Sequence, residues 1–259
     1  MAHPIHEATE NSPFGDLTRE DFYKTHHVIH QQEFMLNRRN MEIFTQSWCP
    51  DATVTELKGL VAMVHGYVSE SNWIFQLTAV AIAKLGFYVC ALDMQGHGYS
   101  HGLYGHIPDI KPVIDDCIQF FDSVGADHPK LPAFLYGESL GVLNGAMFGV
   151  SSKFKPVLPL RKTPSVIFTK SLTMKSFKEE WKRKLVTKKL PLLVLHGEDD
   201  LICDSDSARL FYELAGSRDK TLKIFPGMWH QLIGEPKEDV ELVFQTIFSW
   251  LQDQASMNN

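Results

Sequence analysis

The stretch LPAFLYGESLG, residues 131–141, decides the fold of this chain. Its first part, Leu131 to Tyr136, is mostly apolar and predicts a buried strand. The Gly-x-Ser-x-Gly that follows predicts a sharp strand-to-helix turn, because Gly137 and Gly141 let the backbone bend tightly. Such a turn holds the Ser139 hydroxyl out of the sheet, where it can act as a nucleophile.

A serine hydroxyl is a weak nucleophile unless a histidine base is aimed at it, so an acid and a histidine are expected further along the chain. Both are present, and each follows a predicted strand. Residues 197–200 (GEDD) come after the strand-like run 190–196, and residues 226–230 (PGMWH) come after the run 221–225. The sequence therefore contains the serine, the acid and the histidine in that order, each in a loop after a predicted strand.

These residues predict acyl-transfer chemistry. His230 would take the proton of Ser139 as the serine attacks an acyl carbon, and Asp200 would hold the imidazole in the right tautomer. Asp199 is the alternative acid. An aspartate usually stands at the position of Ser139 in enzymes that open haloalkanes or epoxides, which makes those reactions a weaker alternative.

The oxyanion formed by this attack needs preorganised N–H donors. The backbone N–H of Leu140, next to the nucleophile, is one candidate. The N–H of Tyr67 is the second, because it follows a His65-Gly66 turn at the end of another apolar run. Gly66 would allow the main chain to approach closely there.

Strand-like and helical patterns alternate along the chain, which predicts an α/β fold. The predicted strands are Val28 to Leu36, Met41 to Trp48, Gly59 to Val64, Phe87 to Leu92, Leu131 to Tyr136, Leu190 to His196 and Thr221 to Phe225. The predicted helices are Trp73 to Leu85, a helix with apolar residues from Ile110 to Phe121, Ser205 to Ala215, and a last helix with apolar residues from Val240 to Leu251. This alternation favours a mainly parallel sheet covered on both faces, with its chemistry at the carboxyl ends of the strands.

A second polar cluster lies in residues 93–100 (DMQGHGYS), with His101 and His106 nearby. Three histidines and a carboxylate could hold a metal ion, but no carboxylate or cysteine recurs at a ligand spacing. The glycines favour a tight loop after a strand instead. We predict a structural loop that borders the active site, and no metal site.

The charge of the chain is unevenly distributed. The net charge of −6 argues against general nucleic-acid binding. The segment from Lys153 to Lys189, however, contains 12 Lys and Arg residues and only two acidic residues. We predict that residues 172–189 form an amphipathic helix that contacts anionic membranes through Phe177, Trp181 and Leu185; a solvated, poorly packed segment is the bland alternative.

Further features predict location and domain boundaries. Cys90 and Cys117 fall at positions that predict buried, reduced thiols, and no charged-then-apolar leader or apolar run of membrane length is present. We therefore expect a cytoplasmic protein with peripheral membrane contact. Residues 1–18 are predicted to be disordered, 19–252 to form a single domain with a remnant cap at 150–189, and 253–259 to form a flexible tail.

Taken together, these residues resemble the monoacylglycerol lipase and lysophospholipase branch of the α/β-hydrolases, including the plant caffeoyl shikimate esterases. The matching stretches are His65 to Tyr67, Asp93 to Ser100, Gly105 to Asp109, Gly137 to Gly141, His196 to Asp204 and Pro226 to Glu235. The resemblance implies an α/β-hydrolase fold with a reduced cap, and a triad of Ser139, Asp200 and His230. It also implies hydrolysis of monoacylglycerols, lysophospholipids or caffeoyl shikimate without a cofactor.

The chain departs from the family after the elbow. Gly141 is followed by residues 142–149 (VLNGAMFG), which resemble the family's next strand and not its long helix. A parallel neighbour needs a crossover of roughly a dozen residues or more, so we predict a short, poor helix from Leu140 to Phe148. Internal truncation of this kind leaves a second hypothesis open: a catalytically impaired hydrolase-like isoform or a binding protein.

Overall fold

The structure is a computed structural model that describes residues 2–52, 54, 56–107, 109–139, 154–159, 190–202 and 204–257, the backbone alone for 154–159. Within these residues, eight strands form one sheet. The strands are β1 Val28–Leu36, β2 Glu42–Pro50, β3 Gly59–Val64, β4 Phe87–Leu92, β5 Ala133–Gly137, β6 Phe154–Pro159, β7 Leu192–Gly197 and β8 Lys220–Phe225.

The order across the sheet is β1-β2-β4-β3-β5-β6-β7-β8. β2 pairs antiparallel with β1 and β4, and every pairing from β4 to β8 is parallel. The prediction of a mainly parallel sheet is confirmed. Because the parallel strands point the same way, the loops after β3, β5, β7 and β8 leave from one edge.

Helices cover both faces of the sheet, as predicted. They are α1 Arg19–Thr25, α2 Trp73–Ala83, α3 Ile110–Asp127, α4 Ser205–Leu214 and α5 Lys237–Ser256. Alternate residues of a strand point to opposite faces, and β3 illustrates this: Val61 and Met63 pack in the core with α2 and α5, whereas Leu60 and Ala62 pack with α3. α4 packs on β7 in a smaller cluster. Within the described residues, no helix has both the length and the hydropathy that a membrane span needs.

The N-terminal segment differs from the disordered residues 1–18 that the sequence predicts. Pro4–Glu7 forms a 3-10 helix, and His3 is buried. The His3 N–H donates to Glu241 Oε1 at 2.9 Å, and its ring lies 4.1 Å from that of Phe244, so the segment packs on α5. At the other end, α5 continues to Ser256 with Gln254 and Ala255 buried, instead of giving way to a flexible tail at 253.

β6 lies inside the range 150–189 that the sequence analysis assigns to the cap. It pairs in parallel with β5, with Ala133 opposite Phe154. Because β6 begins at Phe154 and not at residue 142, residues 138–153 lie between the two strands. That length is enough for the crossover that a parallel neighbour needs. The predicted short helix at 140–148 and the amphipathic segment 172–189, with Phe177, Trp181 and Leu185, lie outside the described residues.

Candidate active site

The loop after β5 carries Ser139 in a left-handed backbone conformation. Its φ is +54°, which is uncommon for a residue with a side chain and marks a tight, strained turn. The turn begins where the Glu138 N–H donates to the Val64 carbonyl at 3.1 Å. The nucleophile position therefore follows β5 directly and is tied to the end of β3.

The loops after β7 and β8 bring Asp200 and His230 together. His230 Nδ1 lies 3.0 Å from Asp200 Oδ1 and 2.9 Å from Oδ2. The carboxylate is buried and also accepts the Ile202 N–H at 2.9 Å. Since an ionised carboxylate can only accept, Nδ1 carries the proton and Nε2 keeps the lone pair of a base.

The alternative acid, Asp199, has a different place. Its side chain is exposed, and its N–H donates to the Met228 carbonyl at 3.0 Å. Asp199 thus joins the two loops through its main chain, while its neighbour Asp200 presents the carboxylate to His230.

Three residues to which the sequence analysis gave no role support the Asp200–His230 pair. Gly197 packs against the main chain of the turn before His230, where a Cβ would overlap the Trp229 carbonyl oxygen. The Glu235 carboxylate accepts the Trp229 N–H. His196 Nε2 lies 3.4 Å from Asp200 Oδ2, with both side chains buried. All three residues fall in the motif stretches, but spacing alone does not reveal what they touch.

The turn after β3 lies beside the nucleophile. A Cβ added to Gly66 would stand 3.1 Å from Ser139 Cβ and 3.7 Å from Ser139 Oγ. The Tyr67 hydroxyl donates to the Gly105 carbonyl at 2.7 Å, and the Tyr67 N–H has no acceptor among the described residues. Leu140, the other predicted oxyanion donor, lies outside the described residues.

The structure thus places some of the predicted site residues in direct contact, and it places the others at the same edge of the sheet. Asp200 and His230 are hydrogen-bonded, and Ser139 adjoins Gly66. Between the described residues Ser139 and His230 there is no hydrogen bond. Such contacts are often long without substrate and tighten when it binds.

Residues 93–100 form the tight loop that the sequence predicts, and the Met94 N–H at its start donates to His65 in the turn after β3. The buried Asp93 carboxylate accepts the Ser71 N–H and hydroxyl, both at 2.6 Å, and the Tyr99 N–H at 2.9 Å. Gly98 packs on this carboxylate, where a Cβ would overlap Asp93 Oδ2. No three His, Cys, Asp or Glu side chains in the described part of the chain are grouped to hold a metal ion.

The strand order and the three loops at one edge define a protein of the α/β-hydrolase fold. A family model described as serine aminopeptidase, S33, matches residues 55–153 and 159–237. The match covers more than half of the sequence, and the chain belongs to this family. The fold also agrees with a monoglyceride lipase of Saccharomyces cerevisiae, crystallised as a soluble variant with a substrate analogue: the TM-score is 0.72 at 18% identity, over 87% of this chain and 96% of that one.

Two curated proteins are similar in sequence over most of their length. Caffeoylshikimate esterase of Arabidopsis thaliana is 28% identical, over 93% of this chain and 91% of that protein. Monoglyceride lipase of Homo sapiens is 27% identical, over 86% of this chain and 90% of that protein. The first alignment has 305 positions, more than the 259 residues of this chain, so that relative contains segments with no counterpart here.

Proposed function

We propose that the chain cleaves small carboxylic acid esters through Ser139, His230 and Asp200. Membership of a hydrolase family and similarity to esterases and monoglyceride lipases make it a carboxylic ester hydrolase. The observation that carries the assignment of the residues is the Asp200–His230 hydrogen bond, at the same sheet edge as the strained Ser139.

The roles follow from the protonation state of this pair. Ser139 Oγ attacks the acyl carbon and gives its proton to His230 Nε2, while the buried Asp200 carboxylate stabilises the imidazolium. The tetrahedral oxyanion is held by backbone N–H groups, of which the Tyr67 N–H is one. The intermediate then collapses, the alcohol leaves with the proton from His230, and water hydrolyses the acyl-enzyme by the reverse path.

The substrate class is proposed from the relatives. Their names point to monoacylglycerols and to caffeoyl shikimate, and lysophospholipids remain a third candidate. A panel of these three esters, at equal concentration with the purified chain, ranks them by kcat/KM. The ester with the highest kcat/KM identifies the preferred leaving alcohol, which the triad residues do not determine.

The experiment that tests the proposal is labelling of Ser139 by a fluorophosphonate, combined with ester hydrolysis by three variants. Ser139→Ala and His230→Ala should each remove nearly all turnover and leave the chain folded. Because the triad acts as one unit, the double variant should be little slower than either single variant. Additive losses, or an active Ser139→Ala protein, would exclude this triad.

One observation favours a second candidate, a catalytically impaired hydrolase-like protein. The chain is shorter than its alignment with the plant esterase. A folded protein that neither reacts with the fluorophosphonate nor hydrolyses any ester of the panel would establish this second reading. Retained binding of an intact ester by such a protein would make it a binding protein.

We also propose that the enzyme is cytoplasmic and contacts anionic membranes through residues 172–189. The support is the density of Lys and Arg in this stretch and its apolar residues at helical spacing. Flotation with anionic and with neutral vesicles, at low and at high salt, tests the proposal. Equal recovery on both lipids would exclude an electrostatic contribution.

A further inference from the structure

His65 is fully buried and is bonded at both ring nitrogens. Its Nδ1 lies 2.7 Å from the Gly66 carbonyl oxygen, and its Nε2 lies 2.9 Å from the Met94 nitrogen. The Met94 N–H can only donate, so Nε2 must be the unprotonated nitrogen. The hydrogen is therefore on Nδ1, which donates it to Gly66.

This contact orients one particular peptide group. The peptide bond between Gly66 and Tyr67 is trans, so its N–H points to the side opposite its C=O. The carbonyl is held towards His65 by the shorter of its two hydrogen bonds, at 2.7 Å, and it also accepts the Ser69 N–H at 3.3 Å. The Tyr67 N–H is therefore turned away from the imidazole. That N–H has no acceptor among the described residues, and the Gly66 that precedes it adjoins Ser139.

We propose that His65 is a positioning residue that fixes the Gly66–Tyr67 peptide as an oxyanion donor. The inference rests on the proposed function, because only an acyl-transfer reaction places an oxyanion beside Ser139. His65 itself does not touch the substrate. It acts through the carbonyl of Gly66, whose direction sets that of the Tyr67 N–H.

The surroundings of His65 keep it in the required neutral form. The ring of His97 lies 5.4 Å from that of His65 and 5.7 Å from that of Tyr67. Burial lowers the pKa of His65 to about 4, and it lowers the pKa of His97 as well. A proton on Nε2 would face the Met94 N–H, so a charged His65 would lose one of its two hydrogen bonds.

Two substitutions separate the two hydrogen bonds of His65. In His65→Asn, the amide nitrogen takes the place of Nδ1 and can still donate to Gly66, but the Met94 N–H loses its acceptor. In His65→Gln, the amide oxygen takes the place of Nε2 and still accepts from Met94, but the Gly66 carbonyl loses the imidazole donor and keeps only the longer contact with the Ser69 N–H, at 3.3 Å. Each variant breaks one buried hydrogen bond, which makes the two a matched pair for stability.

The test compares hydrolysis of p-nitrophenyl butyrate by the full chain and by both variants, with thermal unfolding as the control for folding. We expect His65→Gln to lower kcat about 10- to 100-fold with little change in KM, since a misplaced oxyanion donor weakens transition-state binding only. The affinity for a trifluoromethyl ketone, which mimics the tetrahedral intermediate, should fall by a similar factor. His65→Asn should keep kcat within about threefold of the wild type.

Equal losses of kcat in the two variants, or losses confined to KM, would overturn the inference and leave His65 a structural residue. A ¹⁵N spectrum of the imidazole provides a readout without turnover: Nδ1 should be protonated and Nε2 unprotonated at neutral pH, and the opposite tautomer would also overturn it. Wild-type protein that does not hydrolyse the ester or react with a fluorophosphonate defeats the proposed function, and the inference falls with it. An active wild type with two equivalent variants defeats the inference alone.

Discussion

Gly197 and Trp229 pack main chain against main chain, at the point where the loop of Asp200 meets the turn of His230. A Cβ on Gly197 would overlap the Trp229 carbonyl oxygen and would stand 2.8 Å from the Met228 carbonyl carbon. The closeness of the two loops lets the Asp200 carboxylate reach His230 Nδ1 at 2.9 Å. A glycine outside the sequence-predicted triad therefore sets the geometry of its acid and base.

Gly197→Ala should reduce kcat strongly even where it changes the thermal stability of the protein little. The added methyl group must push the His230 turn away, and a displacement of about 1 Å at a catalytic group can cost about 100-fold in rate. The measurement is kcat for ester hydrolysis together with thermal unfolding. Gly234→Ala is the matched control, because its Cβ would meet Gln231 at an ordinary 3.4 Å and should leave kcat nearly unchanged. Equal rates in the two variants would contradict this reading of Gly197.

Asp200→Asn should lower kcat by about 10⁴-fold while the protein stays folded, because an amide stabilises the wrong tautomer of His230 and no longer balances the imidazolium. Asp199→Asn is the control one residue away. Its exposed side chain should change kcat by less than about threefold, since an exposed polar substitution of this kind is nearly neutral. Steady-state kinetics of the two variants decide between the neighbouring aspartates. A larger loss in Asp199→Asn would reverse the assignment.

The parallel strands near the middle of the sheet could be predicted well from the sequence. The bounds of β3 and β4 agree with the prediction residue for residue, because each is a continuous apolar run that packs on both faces. The end of β5 is less local. Gly137 belongs to the strand because it pairs with Val64, and that pairing is set by the sheet and not by the sequence nearby.

Two parts of the fold could not be predicted, and both depend on distant contacts. β6 contains Lys155, Pro156 and Pro159, which read as loop residues, but its backbone is flanked by β5 and β7. His3 lies in a polar segment without hydrophobic periodicity, and its N–H donates a hydrogen bond to Glu241, which is 238 positions away in the sequence. In the site, Ser139, Asp200 and His230 could be predicted because each follows a parallel strand, and the loops after parallel strands lie at one edge of the sheet. Gly197 and Glu235 could not be assigned a role, because each contacts the main chain of the His230 turn and sequence spacing does not indicate such contacts.

Asp93→Ala should destabilise the protein strongly. The substitution leaves the buried N–H and hydroxyl of Ser71 without their acceptor, and each buried group left unpaired costs about 1–3 kcal/mol. The part-buried N–H of Tyr99 loses its acceptor as well. We expect the free energy of unfolding in urea to fall by about 3 kcal/mol or more. Asp115→Ala, which removes an exposed carboxylate paired with Lys111, should change it by less than about 0.5 kcal/mol. A small effect of Asp93→Ala would mean that the loop at the border of the site is not held by this carboxylate.

His3 makes the docking of the N-terminal segment measurable through the pH dependence of stability. Burial lowers its pKa from the ordinary value of 6.5 to about 3, with smaller contributions from His6 and Lys84. Between about pH 6.5 and about pH 3 the unfolded chain therefore binds a proton at His3 that the folded chain does not, and stability falls as the pH falls through this window.

The variant His3→Asn removes this titration and keeps the polar contact, because the asparagine oxygen can accept the Ile5 N–H that now reaches His3 Nδ1 at 3.1 Å. From pH 7 to pH 5, the wild type should lose about 2 kcal/mol more of its free energy of unfolding than the variant does. Urea unfolding at the two pH values measures the difference. If residues 2–8 were detached from α5, His3 would titrate alike in both states and the two proteins would lose the same amount of stability. A difference near 2 kcal/mol would instead place the N-terminal segment inside the cooperative unit of the fold, where the buried His3 lies against Phe244.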